Sequence, residues 1–273
     1  MDWIIEDFYV NQTKSWPYAK PFDENVRISE GTFIGLSALQ NMTGAVGESS
    51  TKLALLDYLI LRLDSGSLSK ITVTGHSLGG ALAPTFALWL KDTESHWNNS
   101  SASIPINVLP IAGATPGNAD FARYYDSRLG DVTDRLHNPF DVVPHAWHIE
   151  SMKKLDTLYE QEGFNIRPGL KIIGAFDIGM ELAGDKNYLQ IKNDQPALPG
   201  VINPNAKDSS GAINYLGQMI WQHSCGYYNA LGITESMYAV NKSCHSKRYC
   251  EQNPTNAECI KMQKPRCTAV PIP

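Results

Sequence analysis

A serine stands at the centre of a pattern that is typical of enzymes in which a hydroxyl attacks a carbonyl carbon. The pattern is Gly75-His76-Ser77-Leu78-Gly79, which fits the G-x-S-x-G nucleophile elbow. In such an elbow the serine lies on a sharp turn between a strand and a helix, and its hydroxyl is held clear of the chain. The sequence therefore predicts Ser77 as a nucleophile and the backbone N–H of Leu78 as a donor to the developing oxyanion.

The residues on both sides of this pattern supply the elements that an elbow requires. Residues 71–74 form a short β-branched run that predicts a buried strand, and residues 81–91 continue as an apolar helix. Gly75 and Gly79 are expected to leave room where a Cβ atom would collide with the crossing helix and strand. The alternative is that Ser77 is only the N-cap of an ordinary helix, but the preceding strand favours the nucleophile.

A serine hydroxyl becomes a strong nucleophile only when a base takes its proton, and the base in turn is oriented by an acid. Asp141 comes just after a predicted short strand over residues 134–138, and His223 follows a segment over residues 214–221 that runs toward it. In proteins with this elbow the order along the chain is serine, then acid, then histidine. The sequence therefore predicts Asp141 as the acid and His223 as the general base.

Other residues offer alternatives for the acid and the base. Asp177 follows an apolar run over residues 172–176, but it lacks the Val-Val-Pro segment that comes directly after Asp141. His137 and His148 are alternative bases, although neither has the expected order and context. Asp141 and the histidine assigned above remain the favoured pair.

Three further side chains near these positions have simpler interpretations. His145 and His148 form a His-x-x-His pair that could bind a metal, but no third ligand of clear role is nearby, which favours ordinary loop histidines. His76 is interpreted as packing or polar support, because neighbours on a turn point in different directions. Tyr227 either braces the histidine or belongs to the core.

Strands alternate with helices on both sides of the elbow. The segment before it predicts a strand over residues 26–29, a helix over residues 33–42, and a second helix that Ser50 or Thr51 can cap. The segment after it predicts a strand and two helices, over residues 106–111, 121–129 and 152–159 respectively. Such alternation is typical of the α/β class, with a mostly parallel central sheet flanked by helices.

Composition limits the class of protein further. The 273 residues suffice for one large α/β domain, and 42% hydrophobic with 19% charged residues is ordinary for a globular protein. A net charge of −5 without any run of Lys or Arg argues against a nucleic-acid partner. No stretch reaches the length of a membrane span, and residues 1–7 have neither the basic nor the apolar region of a secretory signal.

The cysteines divide the chain into a domain over residues 1–240 and a cysteine-rich tail over residues 241–273. The tail holds Cys244, Cys250, Cys259 and Cys267 among several prolines, which indicates two disulfides whose connectivity stays open. A zinc site is the alternative, but no C-x-x-C pair is present. Cys225 is either free or bonded to the tail. Together with glycosylation sequons at Asn11, Asn41, Asn98, Asn99 and Asn241, the cysteines favour a secreted or extracytoplasmic location.

The chain resembles the class 3 lipases, the family of fungal triacylglycerol lipases and their bacterial and plant relatives. The resemblance covers residues 1–230 and is carried by five segments, which are residues 74–81, residues 113–118, Asn138-Pro139-Phe140-Asp141-Val142-Val143-Pro144, His223 with Tyr227, and residues 27–33. It implies an α/β-hydrolase fold, a Ser77-Asp141-His223 triad, and hydrolysis of carboxylic esters of acylglycerol lipids through an acyl-enzyme. It implies no cofactor and no metal, and its substrate is a lipid or ester that can lie at a lipid–water interface.

One part of the family pattern has no match in this sequence. In the family, a strand ending in Arg-Gly-Thr or Arg-Gly-Ser precedes the lid, and a residue just after it supplies a second oxyanion donor. Residues 1–7 resemble the lid helix that follows, so the fold is expected to lack its N-terminal strands, unless the strand over residues 26–29 closes the gap. Loss of one such donor reduces turnover by roughly a hundred- to a thousandfold.

The unmatched donor motivates a second hypothesis of a different class. The chain is then a catalytically silent or truncated lipid-binding protein with the same fold. A third hypothesis is acyl transfer to an alcohol instead of water. Turnover of a short-chain ester that depends on Ser77 separates the enzyme from the silent protein.

Overall fold

The computed structural model of the chain describes residues 9–45, 52–99, 103–161 and 163–233. The chain divides into two compact units, each built from segments that are far apart in the sequence. Of the described residues, the first unit takes those within 9–137, 142–156 and 169–196, and the second unit takes those within 138–141, 157–168 and 197–233. The predicted tail over residues 241–273 lies outside the described residues, so its separation from the domain stays a prediction.

Helices and strands are numbered here in chain order over the described residues. The strands are β1 (Thr13–Ser15), β2 (Arg27–Ser29), β3 (Thr43–Ala45), β4 (Lys52–Ala54), β5 (Ile71–His76), β6 (Ile106–Ile111), β7 (Tyr159–Gln161) and β8 (Phe164–Ile166). The helices are α1 (Glu30–Gln40), α2 (Leu55–Asp64), α3 (Leu78–Asp92), α4 (Glu94–Trp97), α5 (Ala119–Leu129), α6 (Ile149–Met152), α7 (Leu170–Ala183), α8 (Tyr215–Gln222) and α9 (Cys225–Ala230).

The centre of the first unit is a parallel pair formed by β5 and β6. Their register runs from Ile71 opposite Ile106 to His76 opposite Ile111. The chain after α5 extends this pair only by isolated parallel bridges, one of them between Ile111 and Leu136. The predicted strand over residues 134–138 is therefore wrong as a regular strand, because the segment makes single ladder contacts and then leaves the sheet.

Helix α3 packs against both strands of this pair and carries much of the apolar core. It contains Pro84, which has no N–H to donate, yet the helix is continuous from Leu78 to Asp92. The largest fully buried apolar side chains of this core are Trp16, Ile28, Leu36, Leu88, Leu90, Trp97, Phe121, Tyr125 and Ile191. Burial of this apolar area is the main force that holds the helix on the strands.

The strand β2 does not join the parallel pair. It pairs antiparallel with β1, from Thr13 opposite Ser29 to Ser15 opposite Arg27, and Ile28 forms a single antiparallel bridge with Gly117. The Arg27 guanidinium donates to Thr13 Oγ1 at 2.7 Å and to Ser15 Oγ at 2.8 Å, which ties the two strands together. The idea that residues 26–29 take the place of a missing parallel strand is thus wrong.

Two helix predictions also differ from the structure. Helix α2 begins at Leu55 with Ala54 as its N-cap, because residues 52–54 form β4 and pair antiparallel with β3. The predicted caps, Ser50 and Thr51, lie outside the described residues. Instead of a helix over residues 152–159, α6 ends at Met152 and β7 begins at Tyr159, with one short 3-10 turn between them. The buried side chains of this segment fit a helical spacing, but the hairpin of β7 and β8 keeps its end extended.

The second unit contains the hairpin of β7 and β8 and the two helices α8 and α9. Tyr159 of β7 and Tyr215 of α8 are fully buried, and their ring centroids lie 4.6 Å apart. Asn214 caps α8, because its side chain accepts a hydrogen bond from the N–H of Gly217. Within the described part of the chain, no helix combines the length and the apolar character that crossing a membrane requires.

Glycines allow the backbone of α3 to approach the strands. A Cβ on Gly75 would lie 2.4 Å from the carbonyl oxygen of Gly79, and a Cβ on Gly80 would lie 2.2 Å from the carbonyl oxygen of Ile111. A Cβ on Gly79 would meet nothing within 4 Å. The expectation of crowding is therefore correct for Gly75 and wrong for Gly79; on the helix the close approach occurs one residue later, at Gly80.

We expect Gly80→Ala to lower the free energy of unfolding by about 1–3 kcal/mol, because the added methyl group meets rigid backbone. The matched variant Gly79→Ala adds the same group in open space, and it should leave stability unchanged or raise it by up to about 1 kcal/mol. Urea unfolding followed by circular dichroism measures both values. Equal stabilities for the two variants would show that α3 and β6 can separate at little cost.

Candidate active site

Ser77 lies on the turn between β5 and α3, in the first unit. Its backbone angles are φ 60° and ψ −120°, a region that residues other than glycine rarely adopt. Such a conformation costs about 1–3 kcal/mol and persists only where the surroundings hold it. Here the Ser77 N–H donates to the Ile111 carbonyl oxygen at 3.0 Å, and the Ser77 carbonyl accepts from the Ala81 N–H at 3.1 Å. The sharp strand-to-helix turn expected for the elbow is therefore present.

Leu78 is the first residue of α3, directly after this turn. The N–H groups of a first helical turn have no partner within the helix, and they lie at the positive end of the helix dipole. Leu78 is 43% exposed, so the residue at this helix start is accessible to solvent. This position can donate a hydrogen bond to a developing negative charge beside Ser77.

Asp141 lies in the second unit, at the end of the short segment over residues 138–141. The side chain is fully buried, and its Oδ2 lies 2.9 Å from His223 Nδ1, with Oδ1 at 3.1 Å from the same nitrogen. An ionised carboxylate can only accept, so the hydrogen lies on Nδ1 and leaves Nε2 of His223 as an acceptor. His223 is the C-cap directly after the last residue of α8, and 19% of its side chain is exposed.

A second donor also reaches the carboxylate. The Tyr227 hydroxyl donates to Asp141 Oδ2 at 2.9 Å, and the Tyr227 side chain is buried. The backbone N–H of Asn138 in turn donates to the Tyr227 oxygen at 3.1 Å. Tyr227 belongs to the buried core, which is one of the two roles predicted for it, and its hydroxyl in addition contacts the acid.

Buried amide side chains surround the segment that carries Asp141. Asn138 Nδ2 donates to Gln222 Oε1 at 2.7 Å, and Asn138 Oδ1 accepts from the Phe140 N–H at 3.0 Å. Gln222 Nε2 donates to the Val201 carbonyl at 2.8 Å and to Gln218 Oε1 at 3.3 Å. These amides are fully or almost fully buried, and the hydrogen bonds offset the penalty of removing them from water.

Asn138 contacts Tyr227, and Gln222 contacts Asn138, but neither was predicted from the sequence as part of the site. A signal was present for Asn138, which opens the Asn-Pro-Phe-Asp segment, and for Gln222, which directly precedes His223. Neither residue is charged, and neither lies at a spacing typical of catalytic residues. Their part in holding the segment that carries Asp141 is therefore evident only from their hydrogen bonds.

The alternative residues lie elsewhere. Asp177 is exposed on α7 in the first unit. His145 Nδ1 lies 2.8 Å from Ser151 Oγ, and His137 Nε2 lies 3.5 Å from an Arg135 nitrogen. Burial is the main cause that lowers the pKa of His148, against an opposing effect of Glu150.

Metal ligation is a separate question. In the described ranges, no group of three or more His, Cys, Asp or Glu side chains could hold a metal ion. The tail cysteines, Cys244, Cys250, Cys259 and Cys267, and residues 1–8 lie outside the described ranges, so the two disulfides and the lid helix stay predictions.

The structure thus brings two of the predicted site residues together. Asp141 and His223 form a hydrogen-bonded pair within the second unit, and Ser77 with Leu78 forms the elbow of the first unit. An elbow serine and a carboxylate–imidazole pair are the components that nucleophilic acyl transfer requires.

The parallel pair, the elbow and the helix after it are those of an α/β hydrolase, and comparison with known proteins confirms this fold class. Over 85% of its length the chain is similar to the crystal structure of M37 lipase, with 39% sequence identity and a TM-score of 0.76. A family model described as Lipase (class 3) matches residues 10–150, which is just over half of the chain. The chain belongs to the class 3 lipase family.

Curated plant proteins match shorter parts of the chain. It is 39% identical over 83 residues to Phospholipase A1-Igamma2, chloroplastic, of Arabidopsis thaliana, which is 30% of this chain and 16% of that protein. It is 26% identical over 141 residues to Galactolipase DONGLE, chloroplastic, of the same plant, which is 50% of this chain and 30% of that protein. The chain also spans only 65% of the M37 lipase chain.

We expect Asn138→Ala to lower the free energy of unfolding by about 1–3 kcal/mol, because the variant leaves the buried Gln222 oxygen and the Phe140 N–H without their partner. The matched variant Asn205→Ala changes an exposed asparagine of the same unit and should stay within about 0.5 kcal/mol of the wild type. Thermal and urea unfolding measure both. A neutral Asn138→Ala would mean that water replaces these contacts without penalty.

Proposed function

We propose that this chain hydrolyses carboxylic esters of lipids, with Ser77 as nucleophile, His223 as general base and acid, and Asp141 as the residue that orients the histidine. The observation that carries the proposal is the backbone of Ser77, which holds φ 60° at the turn between a parallel strand and a helix. A nucleophile elbow is the known use of a serine in that strained place. The hydrogen bond between Asp141 and His223 supports the assignment of the other two residues.

The proposed reaction begins with attack of Ser77 Oγ on the ester carbonyl carbon. His223 Nε2 takes the hydroxyl proton, and the Leu78 N–H donates to the oxyanion of the tetrahedral intermediate. The intermediate collapses as the alcohol leaves with the proton from His223, and the acyl group stays on Ser77. Water then attacks this acyl-enzyme, again losing its proton to His223, and the fatty acid is released as the proton returns to Ser77.

Asp141 contributes by fixing the imidazole. Its carboxylate accepts from Nδ1, so that the lone pair of the neutral ring lies on Nε2 and can accept the serine proton, and the carboxylate stabilises the imidazolium that forms. Burial of the carboxylate strengthens this effect, because charges interact more strongly away from water.

The lipid nature of the substrate is supported by family membership. The similar plant proteins are named as a phospholipase A1 and a galactolipase, and the similar crystal structure is named as a lipase. All of these names concern esters of fatty acids. Because the chain spans only part of each relative, the proposal is limited to the class of glycerolipid esters.

The location of the protein is also a proposal. The tail cysteines and the sequons favour an oxidising, extracytoplasmic compartment. The two plant relatives carry the word chloroplastic in their names, which adds an organelle as the alternative.

We expect a fluorophosphonate probe to label the wild-type chain and not Ser77→Ala, because the probe requires an activated serine. Asp141→Asn should retain the fold and lower turnover of a short-chain p-nitrophenyl ester by about 10⁴-fold, because the asparagine stabilises the wrong imidazole tautomer. Mass spectrometry of labelled protein and initial-rate kinetics measure the two effects. Asp177→Asn, which changes the exposed rival acid, is the control and should keep wild-type turnover.

Equal labelling of wild type and Ser77→Ala would remove the assignment of the nucleophile. Absence of any turnover dependent on Ser77, in protein that is folded, would support the silent lipid-binding hypothesis instead. Formation of alkyl ester in place of fatty acid when an alcohol is added would support acyl transfer.

We expect the chain to release fatty acid from glycerolipid vesicles or emulsions, and Ser77→Ala to release none. The substrates to compare are a triacylglycerol, a phosphatidylcholine and a galactolipid, each with the same acyl chains, and released fatty acid is measured by mass spectrometry. The comparison identifies the preferred headgroup. Hydrolysis of p-nitrophenyl esters without hydrolysis of any of the three lipids would reduce the proposal to a soluble-ester hydrolase.

A further inference from the structure

The buried hydroxyl of Tyr227 has one hydrogen and lies within hydrogen-bonding distance of Asn138 and Asp141, and the chemistry of these two groups decides the direction of the hydroxyl hydrogen. The Asn138 N–H can only donate, at 3.1 Å, so it occupies a lone pair of the Tyr227 oxygen. An ionised Asp141 carboxylate can only accept, at 2.9 Å, so it receives the Tyr227 hydrogen. The result is an ordered chain of donors from Asn138 through Tyr227 to the acid.

From this geometry we propose that Tyr227 is a positioning residue for Asp141, an inference that rests on the proposed function. Oδ2 of Asp141 accepts from both Tyr227 and His223, each at 2.9 Å. Two donors from different directions fix the rotation of the carboxylate about its Cβ–Cγ bond. A carboxylate held in this way keeps the His223 ring oriented through the reaction, and a ring oriented in advance lowers the barrier to proton transfer.

The competing interpretation is that Tyr227 only fills the core. Its ring is buried, and a phenylalanine would fill the same volume. The two interpretations differ in the hydroxyl alone, so the test has to remove the hydroxyl and keep the ring. It also has to separate the loss of a buried hydrogen bond from the loss of a contact with the acid.

The chain offers a matched control in the same unit. Tyr159 is also fully buried, and its hydroxyl donates at 2.9 Å to the carbonyl of Phe140, the residue before Asp141. Tyr159→Phe therefore removes one buried hydrogen bond to the same four-residue segment, while the hydrogen bonds to the carboxylate stay. Among the titratable side chains that face Asp141, His223 and Tyr227 form hydrogen bonds with the carboxylate, and Tyr159 interacts with it electrostatically.

The first measurement is the steady-state kinetics of a short-chain p-nitrophenyl ester. We expect Tyr227→Phe to lower kcat by about tenfold, the rate effect of one charge-assisted hydrogen bond, with KM nearly unchanged. Tyr159→Phe should lose a similar amount of thermal stability and keep kcat near the wild-type value. Equal kcat values for the two variants would overturn the positioning role and leave Tyr227 as a core residue.

The second measurement does not depend on turnover. The proton on His223 Nδ1 is observed by NMR and assigned by its absence from His223→Gln. We expect its resonance to move or broaden in Tyr227→Phe and to stay unchanged in Tyr159→Phe. An unchanged resonance in both variants would overturn the proposal.

The two measurements separate the inference from the proposed function. If the wild type has no turnover that depends on Ser77, the proposed function fails, and the resonance alone decides the role of Tyr227. If Tyr227→Phe unfolds at the assay temperature, 3-fluorotyrosine in place of Tyr227 keeps the ring and makes the hydroxyl a stronger donor. The Nδ1 resonance must then differ from that of the wild type, and an unchanged resonance contradicts the positioning role.

Discussion

The elbow depends on a close approach of two backbone segments. One is Gly80 of α3, and the other runs from Ile111, the last residue of β6, to Gly113. No side chain larger than hydrogen fits between them at Gly80, since a Cβ there would meet both the Ile111 carbonyl and the Gly113 Cα. The contact holds the start of α3 against the end of β6, where Ile111 also accepts the Ser77 N–H. The strained backbone of Ser77 is therefore supported by packing that begins three residues after it.

In the second unit the main constraint is the burial of the Asp141 carboxylate. A carboxylate without partners in the interior is unstable, and Asp141 is fully buried. Two donors reach its oxygens, and the polar groups of the segment before it bond to Gln222, Tyr227 and Tyr159. These contacts come from α8, α9 and β7, so the elements of the second unit converge on a segment of four residues.

The parts of this structure that sequence could predict are those with local causes. Strand β5, the turn at Ser77 and helix α3 follow from a β-branched run, a fixed motif and an apolar helix next to each other in the chain. The positions of Asp141 and His223 followed from chain order and motif resemblance, and their hydrogen bond accords with those assignments. The contact of the Tyr227 hydroxyl with the acid could not be predicted, because it joins residues far apart in the sequence and leaves no periodic pattern in the chain.

The errors have a common physical origin as well. The segments over residues 134–138 and 152–159 have side chains that suit a strand and a helix, but their partners decide the outcome. The first meets the parallel pair only at single bridges, and the second is drawn into a hairpin with β8. Similarly, β2 has a strand pattern that does not specify its partner, and it pairs with β1 in the antiparallel sense.

Residues 138–141 belong to the second unit, whereas the stretches directly before and directly after them belong to the first unit. So short a segment tolerates little change in length, because its residues share hydrogen bonds with Gln222, Tyr227 and Tyr159. Insertion or deletion of one residue would rotate the carboxylate away from its donors. For directed evolution, libraries that vary loop length should spare these four residues and place their diversity in the exposed residues 209–213, which precede α8.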